Sequence, residues 1–454
     1  MSTSELPDLP HEQGHDPGHD TARRLPVPPG TLPVGAALLV AGFATYAFFR
    51  VGQSALGGAA EFAPISALWF ATFSLAPGVF LPLEQELGRA LSHRTARGQG
   101  GQPVVRKVVF LGALLAGIVL TIILIASPVI TRVYFDGDWV MLAALATAFV
   151  AYAPAHLARG ICSGTGRFRS YAIIMGSDGI VRIVFCLALA GIGITAAGPY
   201  GFAVALAPLL AVGVLSLRGA LATEPGPPAE WREVTPNLGW LLCGSMFQAA
   251  LLNAGVVAAT LLSTPDERSL VTQFAFGVLL ARVPLFMFQA VQAALLPRLS
   301  QLAARNELAE FRSGFKRLIV LVIVVGATGT VGAFLIGPWV IDLVYGADLT
   351  GRTLAMLALA SAIYMLALAT AQAVIALRGH AYVAVGWASG FATFIVVTWL
   401  SSDLLFRRIE IGLLASSIVA LVVFATTLRS RLRTGVEPDA DSVMDAITDM
   451  PLES

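Results

Sequence analysis

Residues 318–341 read LIVLVIVVGATGTVGAFLIGPWVI, 24 positions without a charge, bounded by Lys316 and Arg317 on one side and Asp342 on the other. At about 1.5 Å per residue a helix of this length reaches roughly 36 Å, enough to cross about 30 Å of hydrocarbon. Working outward, apolar runs of similar length recur along the chain, separated by charges, Gly or Pro. Twelve spans are predicted: Val34–Ala55, Phe62–Leu83, Val108–Ile130, Trp139–Ala158, Tyr171–Ile194, Tyr200–Leu217, Leu238–Leu262, Val271–Leu296, Leu318–Ile341, Leu354–Leu377, Tyr382–Leu400 and Ile411–Leu428. The expectation is an all-α polytopic membrane protein.

Composition agrees with that reading. Of 454 residues 56% are hydrophobic and only 13% charged, and mean hydropathy is +0.77, far more apolar surface than a soluble domain could bury. A soluble enzyme is excluded. The net charge of +1 provides no basic field for nucleic acid. Cys162, Cys186 and Cys243 fall in or beside apolar runs, with no metal or disulfide spacing.

Lys and Arg test the span count independently, because basic residues concentrate in cytoplasmic loops. One loop set holds 21 of the 29, including Arg94, Arg106, Lys107, Arg159, Arg167, Lys316 and Arg317. The other holds Arg132, Arg268, Arg352, Arg407 and Arg408, while Arg50, Arg182 and Arg282 lie within spans. Both termini are therefore expected in the cytoplasm. Only Lys107 and Lys316 are lysines, the bias of a GC-rich bacterial genome, which places the protein in a bacterial cytoplasmic membrane.

The tails differ from the spans. Residues 1–32 are rich in Pro, Gly, His and Asp and read as a disordered cytoplasmic tail. His11, His15 and His19 stand at four-residue spacing, but Pro17 and the glycines argue against a metal-binding helix. Residues 431–454 form an acidic tail. The first apolar run lacks a small-residue cleavage site and reads as a retained span.

The chain also repeats. Residues 33–218 and 238–430 each hold six spans, with a Pro- and Gly-containing cytoplasmic linker at 219–237 between them. Leu81-Pro82 matches Leu296-Pro297, Arg106-Lys107 matches Lys316-Arg317, and Arg159-Gly160 matches Arg378-Gly379, at offsets of 215, 210 and 219 positions. An even number of spans per copy gives parallel repeats about an axis along the membrane normal. After the eighth span, Leu299, Leu302, Leu308, Phe311 and Phe315 alternate with basic residues, the pattern of an interfacial amphipathic helix.

Twelve spans as two sixes, the FAPISALWFATFSLAPGVFLPLEQELGR run from Phe62, the ARGICSGTGRFRSYA turn from Ala158 and the ALLPRLSQLAARNELAEFRSGFKR segment from Ala294 together resemble the multidrug/oligosaccharidyl-lipid/polysaccharide (MOP) exporter superfamily, in particular its polysaccharide flippase branch. The resemblance implies two six-helix lobes around a central cavity, alternating access, and a polyprenyl-diphosphate-linked glycan as cargo. Membrane lipids would surround the chain, and glycosyltransferases or polymerases of the same pathway would be its partners. No cofactor and no catalytic residue are implied.

Intramembrane ionisable residues are functional candidates because an unpaired charge in hydrocarbon is costly. Arg50, Arg282 and the pair Asp178 and Arg182 qualify. Gln289 lies two turns from Arg282, and Pro284 should loosen the backbone there. Guanidinium suits a diphosphate, offering paired donors that stay charged, so Arg50, Arg182, Arg282, Gln289 and Asn253 are expected to bind the head group, with Gln248 a further polar candidate. The bland readings are a snorkelling Arg50, a structural Asp178–Arg182 pair, and interhelical hydrogen bonding by Asn253 and Gln248. The alternatives to a glycan flippase are a cation-coupled small-molecule antiporter of the same superfamily, which would need a membrane carboxylate, and a non-transporting scaffold. A membrane glycosyltransferase is disfavoured by outer loops of only about five to twelve residues, with dispersed acids.

Overall fold

A computed structural model describes residues 31–235, 238–285, 288, 302, 307–377 and 379–434. It is all-α: α1 (Thr31–Leu56), α2 (Ala59–Ala96), α3 (Gln102–Ile125), α4 (Ser127–Tyr134), α5 (Trp139–Gly164), α6 (Phe168–Gly191), α7 (Ala197–Leu217), α8 (Leu238–Leu262), α9 (Arg268–Ala281), α10 (Leu308–Leu335), α11 (Gly337–Tyr345), α12 (Gly351–Ala376), α13 (His380–Leu400) and α14 (Leu405–Thr434). Eleven of the described helices are long and apolar enough to cross a membrane. The expected eighth span is described over its first half, as α9. Gln289, the tail histidines, the acidic tail beyond residue 434, and residues 299–301 and 303–306 of the amphipathic stretch lie outside the described residues.

Three elements depart from the sequence expectation. Helix α2 does not stop at Leu83 but runs 38 residues to Ala96, because Glu84 finds partners on α5 and α6 and Glu86 pairs with Arg89 one turn on. The third and ninth spans are each broken, at Ala126 and Ile336, ahead of Pro128 and Pro338. Proline removes the i→i−4 donor, and at the first break Ser127 Oγ donates instead to the Leu124 carbonyl at 2.7 Å. Finally, Leu308–Arg317 forms the first turns of α10 rather than a separate interfacial helix.

The helix pairings repeat between the halves. α1 packs on α6 as α8 packs on α13; α2 on α5 as α9 on α12; α3 on α5 as α10 on α12; and α5 and α6 on α7 as α12 and α13 on α14. The two lobes meet where α2 lies against α8 and α9. The apolar spans of α2, α5 and α12 are mostly buried, whereas α3 and α10 turn Ile122, Leu124, Val320, Ile323 and Val324 outward. In water such a surface would aggregate; in a bilayer it matches the solvent.

The linker is a docked strap rather than a free tether. All five donors of buried Arg94 are used: Nε and Nη2 on Glu233 (2.8 and 3.0 Å), Nη1 on the carbonyls of Gly100 (3.0 Å) and Pro227 (2.9 Å), and Nη2 also on Pro228 O (3.2 Å). Lys107 Nζ lies 4.5 Å from the Trp231 ring centroid, a cation–π contact that pins the strap to α3.

Candidate functional site

The seam between the lobes is built around a proline. Pro77, inside α2, has no N–H, so the Phe73 carbonyl one turn earlier loses its helical donor. Asn253 of α8 fills the gap, its Nδ2 donating to Phe73 O at 2.8 Å and also to Ala249 O at 3.2 Å. Its Oδ1 accepts from Arg282 Nη1 at 2.9 Å. The guanidinium also donates to Leu252 O and lies 5.6 Å from the Phe70 ring centroid on α2. Nearby, Ser245 Oγ donates to Pro77 O at 3.2 Å. Gly78 permits the close approach, since a Cβ there would stand 2.8 Å from Met246 Cα.

Arg282 is placed by the end of α9. The helix stops at Ala281, three positions before Pro284, and the Arg282 N–H turns back to Leu279 O at 3.1 Å. A cavity of about 40 Å³ beside it, lined by Leu252, Arg282, Ser361, Tyr364 and Ser417 among others, is the size of a water or two.

From this level towards the end opposite the basic loops, polar contacts between the lobes accumulate. Tyr46 donates to Leu279 O at 2.6 Å, Gln53 Nε2 to Tyr345 O at 3.1 Å and Thr272 Oγ1 to Ala59 O at 2.8 Å. Asp136 pairs with Arg268 across the same seam. Tyr345 stacks on Phe276 with ring centroids 4.2 Å apart, and Phe276 in turn meets Phe49 of α1 edge-on.

Within the first lobe, Arg182 is 2% exposed. Its Nη2 donates to Asp178 Oδ2 at 2.7 Å and to Tyr152 OH at 3.3 Å. Its guanidinium lies 4.3 Å from the Trp69 ring and 5.7 Å from the Phe73 ring. A second buried cluster was not among the sequence candidates. Glu84 Oε2 lies 2.8 Å from His156 Nδ1 and accepts from Arg159 Nε at 3.0 Å, while Oε1 accepts from Tyr171 OH at 3.0 Å. Glu84 had been placed past the end of a span and Arg159 in a loop; the only sequence signal was an acidic residue following an apolar run and, two spans on, a His-x-x-Arg pair.

The expected site residues do not gather in one place. Arg50 is exposed and donates to Ser54 Oγ one turn on, at 3.1 Å. Arg182 and Asp178 pair as expected, inside the first lobe. Arg282 and Asn253 meet at the seam. Of Gln248 the structure shows a carbonyl that accepts from Tyr364 OH at 3.3 Å. Arg182 and Arg282 instead flank the aromatic stretch Trp69–Phe73 of α2.

No protein-family model matches the chain. It is 27% identical to uncharacterized proteins of Mycobacterium bovis and Mycobacterium tuberculosis over 272 residues, 56% of this chain. The match spans 59% of the length of those relatives. Among solved structures it superposes on an inward-facing multidrug resistance MATE family transporter of the MOP superfamily, with a TM-score of 0.69 at 13% identity, covering 89% of this chain and 98% of that one. It also superposes on VcmN, a Vibrio cholerae MATE transporter, with a TM-score of 0.66 at 14% identity, covering 89% and 97%. The chain thus has the two-lobed all-α fold of the MATE structures, in a multi-pass membrane protein with bacterial relatives.

This corrects the branch, the cargo and the partners expected from sequence. The similar structures are multidrug MATE transporters, not polysaccharide flippases, so the polyprenyl-diphosphate-linked glycan and the glycan-synthesis partners are set aside. Leu81-Pro82 and Arg159-Gly160, read from sequence as span ends, lie inside α2 and α5.

Proposed function

We propose that this protein is a cation-coupled small-molecule antiporter of MATE type, working by alternating access of lobes formed by residues 33–218 and 238–430. The observation that carries this reading is the distribution of contacts along the seam. Polar bonds between the lobes gather towards the end opposite the basic loops, where they form a closure of modest strength. Three hydrogen bonds between membrane helices at about 0.6 kcal/mol each, and an exposed ion pair at roughly 0–1 kcal/mol, sum to about 2–3 kcal/mol. One charge crossing 100 mV supplies about 2.3 kcal/mol. A single coupling ion therefore suffices to open such a gate.

The excess of Arg and Lys at the other end supports an orientation with that end in the cytoplasm of a bacterial cytoplasmic membrane. In that orientation the structure corresponds to a state closed to the outside. The fold likeness to an inward-facing MATE transporter supports the same assignment. The strap is bonded by Arg94 and Lys107 to α2 and α3 of the first lobe.

The test is reconstitution into proteoliposomes with ethidium as the transported probe and an imposed proton or sodium gradient. Gradient-dependent ethidium movement, lost when Asp136 and Arg268 are cross-linked as a cysteine pair, is the expected result. Correctly inserted protein that moves no cationic, neutral or anionic dye under either gradient would overturn the reading.

A further inference from the structure

The seam holds a buried charge that closing the lobes does not explain. Arg282 is 8% exposed, and an ionised group taken out of water is costly unless a counter-charge accompanies it. Arg182 has one in Asp178, at 2.7 Å. Arg282 has none among the described residues. Nor does the sequence offer one nearby: α1, α8, α9 and α12 carry no Asp or Glu, and neither does any position from Arg268 to Asn306. The acids of the other two helices beside it are engaged elsewhere. On α2, Glu61 is exposed at the start, Glu84 is held by α5 and α6, and Glu86 pairs with Arg89. On α14, Glu410 lies seven residues before Ser417, about 10 Å by helical rise, and its carboxylate stands 3.0 Å from Arg352 Nη2.

The guanidinium also has donors to spare. Of its five N–H groups, one is given to Asn253 Oδ1 and one to Leu252 O, and the rest find no acceptor among the described residues. The cavity of about 40 Å³ beside it adds two hydroxyls. Ser417 of α14 lines that cavity and is 3% exposed, yet its hydroxyl makes no hydrogen bond among the described residues. Its neighbour Ser416, by contrast, donates back to Leu413 O at 2.8 Å, the usual recourse of a helical serine. Ser361 of α12 lines the same cavity with its hydroxyl equally unengaged. Tyr364 is committed, donating to Gln248 O at 3.3 Å, and the other walls are Leu, Val and Ala. We propose that Arg282, Ser361 and Ser417 form a binding site for one small anion, a halide or a carboxylate group.

Water alone does not supply what is missing. A neutral water satisfies a donor but leaves the charge uncancelled among apolar walls, where an anion beside the guanidinium is attracted far more strongly than at a surface. Size narrows the class: room for a water or two is room for one chloride or for the two oxygens of a carboxylate. Arginine stays charged throughout the physiological range, so occupancy follows anion concentration rather than pH. The ligands come from α9, α12 and α14, all in the second lobe. Arg282 meets the first lobe only through the Phe70 ring and through Asn253, which bonds Phe73 O. Where the anion is the carboxylate of a transported molecule, the site selects organic acids and zwitterions over simple cations. That extension rests on the transporter reading above; the anion site itself does not.

The experiment is chlorine NMR line broadening by the full chain in nanodiscs of neutral lipid, with methanesulfonate as the bulky background anion, repeated in competition with acetate. Thermal unfolding against acetate concentration is followed alongside. Saturable binding at one site is expected, lost in Arg282→Gln and weakened about tenfold in Ser417→Ala, as the anion loses a charge-assisted hydrogen bond. Arg50→Gln, at an exposed arginine, should leave it unchanged. The serine variant keeps the test valid if Arg282→Gln fails to insert. Chloride that acetate displaces supports a site open to both ions, and chloride that acetate does not displace supports a free halide as occupant. Saturable stabilisation by acetate without chloride broadening supports a carboxylate carried by the transported molecule. No saturable effect of either ion, or binding unchanged in Arg282→Gln or in Ser417→Ala, overturns the proposal. Anion binding in a protein that moves no probe in proteoliposomes would instead overturn the transporter reading and leave the anion site standing.

Discussion

Asn253→Leu removes two contacts at once while nearly preserving volume. The Phe73 carbonyl loses its only donor from across the seam, at 2.8 Å, and Arg282 Nη1 loses its acceptor at 2.9 Å. Interhelical hydrogen bonds in membranes average about 0.6 kcal/mol and reach about 1.7, and a bond to a charged group contributes about 1.5–3 kcal/mol. The variant should therefore be less stable by about 2–4 kcal/mol. The origin of the first part can be isolated, because the carbonyl is unpaired only on account of Pro77. In Pro77→Ala the restored N–H competes for the same oxygen. In that background Asn253→Leu should cost about 1 kcal/mol less than in the parent, a coupling between two helices. Reversible unfolding in bicelles, for the parent, both single variants and the double variant, reads this term directly. Costs that add to within about 0.3 kcal/mol would refute the idea that Asn253 replaces the proline's missing donor.

Four further outcomes follow from the geometry. Arg94→Lys cannot reproduce five donors in a planar fork, so proteolysis between Gly219 and Thr235 should become markedly faster while the spans stay intact. The same strap should be acid-labile: the hydrogen bond from Arg94 holds the Glu233 carboxyl below its usual value of 4.5, so its stabilising contribution is complete above that pH and is lost as pH falls through the depressed folded value. Protease protection of the strap measured against pH checks the sign. Asp136→Lys should open the end opposite the basic loops, changing cysteine accessibility at Gln53→Cys by up to about fivefold, with Asp136→Lys/Arg268→Asp restoring it. Gly160→Val should destabilise by about 1–3 kcal/mol through overpacking against α2, measured by thermal unfolding in nanodiscs.

What the sequence revealed and what it hid divide along a physical line. Apolar length and the alternation of basic loops depend on the bilayer, a local constraint on each segment, and they located α8 from Leu238 to Leu262 without error. The Asp178–Arg182 pair was equally readable, since a four-residue spacing puts both on one helix face. The course of α2 past Leu83 was not, because charges normally end a span and only tertiary partners on α5 and α6 keep Glu84 inside. Pro77 was not singled out from sequence, and the donor that replaces its N–H lies 176 positions away in Asn253, a separation that no local rule can bridge. The convergence of Arg50, Arg182 and Arg282 failed for a related reason: sequence gives depth in the membrane but not the direction a side chain faces.

These observations make α2 the shared axis of the molecule. One end of its aromatic stretch holds Arg182 against Trp69 and Phe73, and another face holds Arg282 against Phe70. Desolvated cation–π contacts contribute about 2 kcal/mol or more, so two guanidiniums grip the helix from both lobes near the level of Pro77. A helix gripped there and weakened by proline at Pro77 and Pro82 bends at that level more easily than it slides. The polar closure lies on one side of the grip and the Glu84 cluster on the other. A contact broken at Asp136 or Thr272 is then felt along the helix as a bend about Pro77, towards the end where Glu84 is held by α5 and α6.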